Sequence, residues 1–389
     1  MLRRNQAHHR PMSLLASRIL GTVAEATFVP RRRCPIALRV RRAAFRPMRP
    51  ALLLVTPFLA SANKGNWRTA ARWARLLAPD FRVILQSSDD AVTGGARDRA
   101  VAMVALHARR SRAAIAAWKR ARPDRPLVVV LTGTDLYRDV PAGDADALAS
   151  ISEADRLVVL QPDALRHLPA ARRTKASVVP QSARRLAPWP GKAVSRLNAI
   201  LVAHLRDEKD PRTALAAWRL LPPEVPATLT IVGAALDPSI AEDVRAAERA
   251  DPRVRWLGAR PHAWTRQAIR RAHVLVVASR MEGGSNVVVE ALASGTPVIG
   301  TRMSGNVGLL GDDYPGTFEV GDAAGLAAAV ERAARDRRWL ARLERHGERR
   351  LRRMTPEAES AALHAAIEAA FEGRRGKIPG SRVRSRSTA

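Results

Sequence analysis

The sequence predicts an α/β protein made of two doubly wound parallel-sheet halves. Three observations carry that expectation. Short continuous apolar runs, the pattern of strands covered on both faces, alternate with longer segments of helical period. The alternation stops at residues 184–196, where Pro188, Pro190 and Gly191 interrupt any hydrophobic period and mark a linker. It then restarts with a similar series. Strands separated by helices form parallel sheets, and two such halves joined by one linker leave a cleft between them where ligands bind.

Ordered chain is expected from Pro50, with strands at 51–56, 81–85, 100–106, 126–131, 156–160 and 177–179. Residues 67–78 place Trp67, Ala70, Ala71, Ala74, Leu77 and Ala78 at helical spacing, and a second helix is expected at 111–121. After the linker, strands are expected at 198–205, 227–232, 253–257, 274–278, 297–301 and 316–319, with helices starting near Pro211, Pro238, Thr265, Asn286 and Ala323. The domains are therefore 50–183 and 197–325. Residues 326–372 form basic helices expected to pack back on the first half.

A chain of 389 residues with 47% hydrophobic content can bury two medium cores. Its formal charge of +30 raises the possibility of a nucleic-acid-binding protein. The distribution of charge argues against specific nucleic-acid recognition. Residues 1–49 hold twelve Arg and one acid, Glu25, and residues 373–389 hold six cations and no acid, so the ends carry more than half of the excess. Both ends read as basic and disordered. Residues 13–29 resemble a signal peptide superficially, but Arg18, Gly21 and Glu25 break the apolar run; an unstructured leader, or a true start at Met48, explains them better. No run approaches the roughly 18 apolar residues needed to span a bilayer. The lone Cys34 excludes an internal disulfide framework and suits a reducing, cytoplasmic setting.

The most informative stretch is Ser279-Arg-Met-Glu-Gly-Gly-Ser-Asn-Val-Val-Val-Glu290-Ala-Leu-Ala-Ser-Gly-Thr-Pro-Val-Ile-Gly-Thr301. A buried strand ends at Ala278, a Gly-rich loop leads to a helix capped by Ser285 or Asn286, and Gly295 closes that helix. Glu282 then lies in the loop and Glu290 one turn inside the helix. Carboxylates so placed accept hydrogen bonds from sugar hydroxyls. Gly283 and Gly284 let backbone N–H groups approach a ligand, and the helix start favours a diphosphate.

These residues resemble the retaining glycosyltransferases of family 4, whose GT-B fold has two Rossmann-like domains and whose signature is Glu-x7-Glu. The resemblance covers residues 51–372 and implies an acceptor domain first and a nucleotide-sugar donor domain second. It implies that Glu290 holds the donor ribose, while Glu282, Gly283, Gly284, Ser285 and Asn286 hold the transferred sugar. It also implies no cofactor and no bound metal. Val202-Ala-His-Leu-Arg-Asp-Glu-Lys209 matches a second family segment that grips the diphosphate. Lys209 fits; His204 stands where an Arg is usual, and Arg206 can supply the missing charge. Fixed cations there stabilise the leaving diphosphate. The usual Gly-Gly-x-x-Glu is replaced by Ser304-Gly-Asn-Val-Gly308.

A narrower resemblance rests on Gly65-Asn66, Leu106-His-Ala-Arg-Arg-Ser111, Leu131-Thr-Gly-Thr-Asp-Leu-Tyr137, His204-Leu-Arg-Asp-Glu-Lys209 and Ser304-Gly-Asn-Val-Gly308. Together they are similar to the selenosugar synthases of selenoneine biosynthesis. This implies a UDP-sugar donor, typically UDP-N-acetylglucosamine, and selenophosphate as acceptor. A soft anionic nucleophile needs positioning by cations more than a strong base. Lys64, Arg68, Arg109 and Arg110 are candidates, with Gly65, Asn66, Thr132 and Asp135 completing the acceptor side. His107 follows a buried strand where family members place a histidine near the transferred sugar; with Lys209 and Glu282 it makes up the expected catalytic group. A structural histidine is the competing explanation, as is Asp135 capping the following turn.

Asp144-Ala-Asp146 spells a metal-binding Asp-x-Asp, but it falls in a Gly-Ala loop away from any apolar strand end. No Gly-x-Gly-x-x-Gly follows Thr56, which weighs against a dinucleotide oxidoreductase. Other readings are a family 4 transferase with a lipid, polysaccharide or different small-molecule acceptor, a UDP-sugar epimerase, and the basic nucleic-acid-binding protein.

Overall fold

Continuous apolar runs satisfy their backbone groups in a sheet while helices cover both faces, and the chain arranges them in this way. The computed structural model describes residues 49–57, 65–88, 94–193 and 195–374. Its first half runs β1 (Ala51–Thr56), α1 (Gly65–Leu77), β2 (Arg82–Ser87), α2 (Gly94–Arg99), β3 (Ala100–Leu106), α3 (Arg112–Ala121), β4 (Leu127–Leu131), α4 (Ala145–Glu153), β5 (Arg156–Val159), α5 (Ala170–Arg173) and β6 (Ala176–Val178). The second half runs β7 (Leu197–Val202), α6 (Pro211–Leu220), β8 (Ala227–Val232), α7 (Pro238–Ala250), β9 (Val254–Trp256), α8 (His262–Arg271), β10 (Val274–Val277), α9 (Asn286–Leu292), β11 (Val298–Thr301), α10 (Ser304–Leu310), β12 (Thr317–Phe318), α11 (Ala323–Arg335), α12 (Arg337–Leu351) and α13 (Pro356–Glu372).

Each half holds a six-stranded parallel sheet, ordered β2-β1-β3-β4-β5-β6 and β12-β11-β10-β7-β8-β9. Connections leave in opposite directions on the two sides of β1/β3 and of β10/β7. At such a switch point the carboxyl ends of the strands open a crevice.

Side chains of the first sheet alternate between its faces. Leu53, Val55, Met103, Ala105, Val129 and Leu131 pack with Ile115 and Trp118 of α3 and Ala147 and Ile151 of α4. Leu52, Leu54, Val104, Val128 and Val130 face the other way, against Trp73 and Leu77 of α1 and Leu363, Ile367 and Phe371 of α13. The second half has one continuous core.

Most boundaries move by one or two residues from the sequence expectation, and four features differ more. The strand expected at 198–205 ends at Val202, and only Leu205 rejoins the sheet, through an isolated bridge to Ala235. Helix α8 begins at His262, three residues before the expected start. Ser304–Leu310 is a helix, and residues 145–153 are a helix where a loop was expected. Asp144 accepts the Ala147 N–H and caps that helix. The helices of 326–372 also divide. Leu326, Val330, Trp339, Leu343 and Met354 belong to the second core, and α13 alone supplies apolar residues to the first.

The segment after Ser182 lies along the second half. Leu186 N–H donates to Ala293 O, Arg266 to Arg184 O, and Arg270 to Ala187 O.

Candidate active site

The start of α1 and the loops after β3 and β4 face the loops after β7, β8 and β10 across one cleft, as two apposed switch points require. Of the residues singled out in the sequence, Gly65, Asn66, Arg68, His107, Arg110 and Thr132 line it from the first half. His204, Arg206, Lys209, Glu282, Gly283, Gly284, Ser285, Asn286 and Glu290 line it from the second. Lys64 lies outside the described residues.

Two expectations for the acceptor side are corrected. Arg109 points away from the cleft and pairs with Asp144 at 3.0 Å and Asp139 at 3.6 Å. Its neighbour Arg110 takes the cleft-facing position. Asp135 is fully buried and its carboxylate accepts four backbone N–H groups: Ala108 at 3.0 Å, Thr132 at 2.9 Å, Gly133 at 2.8 Å and Leu136 at 3.1 Å. With its acceptor sites so occupied, Asp135 shapes the two loops that carry His107 and Thr132 instead of touching a ligand.

His107 has a left-handed backbone, φ 71°, uncommon for a residue with a side chain. Its ring is buried. Nε2 lies 2.9 Å from Thr134 Oγ1, and Nδ1 accepts the Arg110 N–H at 3.3 Å. An acceptor Nδ1 puts the proton on Nε2, so the ring is neutral in this arrangement. Burial lowers its pKa below the ordinary histidine value, and Asp135, 3.8 Å away, opposes that shift.

On the other wall, Lys209 Nζ donates to Glu282 Oε1, which also accepts Ser279 Oγ at 2.8 Å. Lys209 ends a short 3-10 turn. The next residue, Asp210, is left-handed at φ 43° and caps α6 through Thr213, which fixes the direction in which the turn presents Lys209. Glu290 Oε1 is 2.7 Å from His262 Nε2.

Both walls contribute cations, and the second also contributes Glu208, Glu282 and Glu290. Burial, and then the charges of Arg138 and Arg206, push the Arg110 pKa down. Burial does the same to Arg68, with Glu290 acting in the opposite direction. Arg110 from the first half and Arg206 from the second, the latter 3.7 Å from Glu208, thus bring their charges into one cleft, a disposition suited to anions.

The glycines serve closure of the cleft. A Cβ on Gly283 would sit 2.2 Å from Thr132 O, one on Gly284 2.6 Å from Leu160 Cβ, one on Gly305 2.2 Å from Glu282 O, and one on Gly308 1.7 Å from Gln161 Oε1. Gly283 thus meets the first half backbone to backbone, Gly284 and Gly308 admit first-half side chains, and Gly305 packs against the Glu282 loop within the second half, where the sequence suggested room for a ligand. Ser285 occupies the cap position of α9 without a side-chain bond, and Asn286 turns towards α1. The departure at 304–308 has a packing role: Tyr137 OH lies 3.1 Å from Ser304 Oγ and accepts Gln161 Nε2 at 2.9 Å.

Residues 196–336 match the family described as Glycosyl transferases group 1. Over 84 residues the chain is 36% identical to the lipopolysaccharide core biosynthesis glycosyltransferase LpsE of Rhizobium meliloti, a match spanning 21% of this chain and 25% of that one. Sucrose-phosphate synthase from Thermosynechococcus elongatus superposes with a TM-score of 0.66 at 17% identity, over 83% of this chain and 100% of that one. HepE of Anabaena, in complex with UDP and glucose, gives 0.67 at 14% identity, over 82% and 100%. The chain has the GT-B fold. In this GT-B protein the cleft is the crevice between the two Rossmann-like halves. Among the described residues, no helix is long and apolar enough to cross a membrane.

Several lining residues of the GT-B cleft carried no local signal in the sequence. His262 and Arg260 come from the start of α8, and Gln181 from the chain leaving β6. Thr69 lies one turn inside α1. None belongs to a motif; each reaches the cleft through tertiary placement.

Proposed function

We propose that this GT-B protein is a retaining family 4 glycosyltransferase of the cytoplasm that moves a sugar from a UDP-sugar to an anionic small-molecule acceptor. The observation that carries the reading is the convergence of Lys209, Glu282 and Glu290 from the second half with Arg68, Arg110 and His107 from the first. In this reading Lys209 and Arg206 hold the diphosphate, and their charge stabilises it as it leaves. Glu290 accepts the ribose hydroxyls, with His262 orienting its carboxylate. Glu282 accepts hydroxyls of the transferred sugar once the ligand competes for the Lys209 contact. HepE, of the same fold, is a protein observed with UDP and glucose.

The acceptor in this proposal is selenophosphate and the donor UDP-N-acetylglucosamine. The bond from the anomeric carbon to the diphosphate oxygen breaks, a carbon–selenium bond forms, and UDP leaves. A polarisable anion attacks without a strong general base, which fits the neutral, hydrogen-bonded His107. Arg68 and Arg110 supply the charge that gathers it.

The test is mass spectrometry of products from UDP-N-acetylglucosamine with and without selenophosphate, with Glu290→Ala as control. A selenium-containing sugar lost in the variant is expected. UDP release without a selenosugar would remove the acceptor from the proposal, and no turnover with any UDP-sugar would remove the activity.

A further inference from the structure

A buried carboxylate just behind the cleft connects both chain crossings to the site. Glu359, in the first turn of α13, is completely inaccessible to solvent. It accepts Arg72 Nε at 2.8 and 3.0 Å, Trp73 Nε1 at 2.8 Å, and both the N–H, at 3.1 Å, and the hydroxyl of Ser182. Ser182 immediately precedes the segment held along the second half. Met354, five residues before Glu359, is in the second core, and Leu363, four residues after it, is in the first. The polypeptide passes between the halves at these two places, and Glu359 binds one and belongs to the other.

Arg72 carries this cluster to the cleft. While its Nε faces Glu359, its NH1 donates to Asn286 Oδ1 at 3.0 Å. That contact orients the Asn286 amide: with its oxygen taken, its nitrogen faces Gly65 O and Thr69 Oγ1, each at 3.4 Å. Asn286, Gly65 and Thr69 all line the cleft. A guanidinium can bridge a carboxylate and an amide because its donors form a planar fork.

We propose that Glu359 and Arg72 are positioning residues, which set the Asn286 side chain in the cleft and register the donor loop against the start of α1. Neither touches the substrate. The proposal rests on the reading of the cleft as a nucleotide-sugar site.

The experiment is a double-mutant cycle of Arg72→Lys and Asn286→Ala, read both as transfer efficiency, kcat/KM, and as thermal unfolding. Arg72→Lys keeps a cation for Glu359 and cannot span to Asn286. It is expected to lower kcat/KM about tenfold, to change Tm little, and to add nothing in the Asn286→Ala background. Glu359→Gln is expected to lower Tm as well, with its kcat/KM loss again absent when Asn286 is already alanine. Additive losses in kcat/KM, or an Arg72→Lys protein as active as wild type, would overturn the proposal. Wild-type protein that neither binds UDP nor turns over any UDP-sugar would count against the activity; a crystal structure of Arg72→Lys would then decide the positioning, since an Asn286 amide unchanged in place and orientation overturns it.

Discussion

Lys209 and Glu282 form an ion pair inside the cleft, although the family resemblance implies the diphosphate for one and the transferred sugar for the other. Each side chain is mostly buried, and Ser279 holds the same Glu282 oxygen. The pair keeps a buried cation and a buried carboxylate matched until a charged ligand divides them. Lys209→Met is therefore expected to lower kcat by about 10²- to 10³-fold, the range for loss of a group stabilising developing negative charge. Steady-state kinetics with a UDP-sugar checks this, with circular dichroism as the control for folding. A variant with lower Tm and unchanged kcat would make the pair purely structural.

Glu290 is the expected anchor of the ribose. Replacing it with alanine removes charge-assisted hydrogen bonds of about 1.5–3 kcal/mol in total, roughly a 10- to 100-fold rise in the Kd for UDP. Titration calorimetry measures it. His262→Ala should weaken binding less, since His262 orients the carboxylate and is itself replaceable by water.

Gly283→Ala tests closure. Its Cβ would lie 2.2 Å from Thr132 O, a backbone atom with no soft rotamer to yield. The substitution should cost about 1–3 kcal/mol of stability or separate the halves, seen as a lower Tm or as a larger radius of gyration in small-angle scattering. Unchanged values for both would show that the contact can relax.

His107 makes a prediction about pH. Its pKa is depressed in the folded protein by burial, so the unfolded chain binds its proton first as pH falls. The stability it contributes is present above the unfolded value and is lost as pH falls from about 6.5 through the lower folded value. His273 and His346 are shifted in the same direction, also mainly by burial. His107→Asn, an amide that tolerates the left-handed backbone, should lose part of the stability decline between neutral and mildly acidic pH. Denaturant titrations across that range would show it; an unchanged decline would assign the slope to the other two histidines.

Much of the site was legible because its residues are adjacent in the chain. Glu282 and Glu290 share a strand–loop–helix unit, and its strand end, glycines and spacing fix both carboxylates at the carboxyl edge of a sheet. Lys209 was legible for the same reason. The first-half wall was harder: Arg109 and Arg110 are chemically alike, and the sharp turn that begins at left-handed His107 decides which faces the cleft. Asp135 looked like a ligand because a buried carboxylate and a ligand carboxylate have the same sequence signature. Four convergent backbone N–H groups tell them apart, and only coordinates show those.

The sequence by itself determined the two doubly wound halves, their order and the Glu282–Glu290 motif, since apolar runs, helical period and short-range spacing are local properties. Tertiary structure alone decided how the halves meet. Gly283 against Thr132, Gly308 against Gln161, and Glu359 between Arg72, Trp73 and Ser182 bring together residues that are distant along the chain. Their partnerships depend on the packing of α13 and on the apposition of two sheets, and no periodicity within a single segment encodes either.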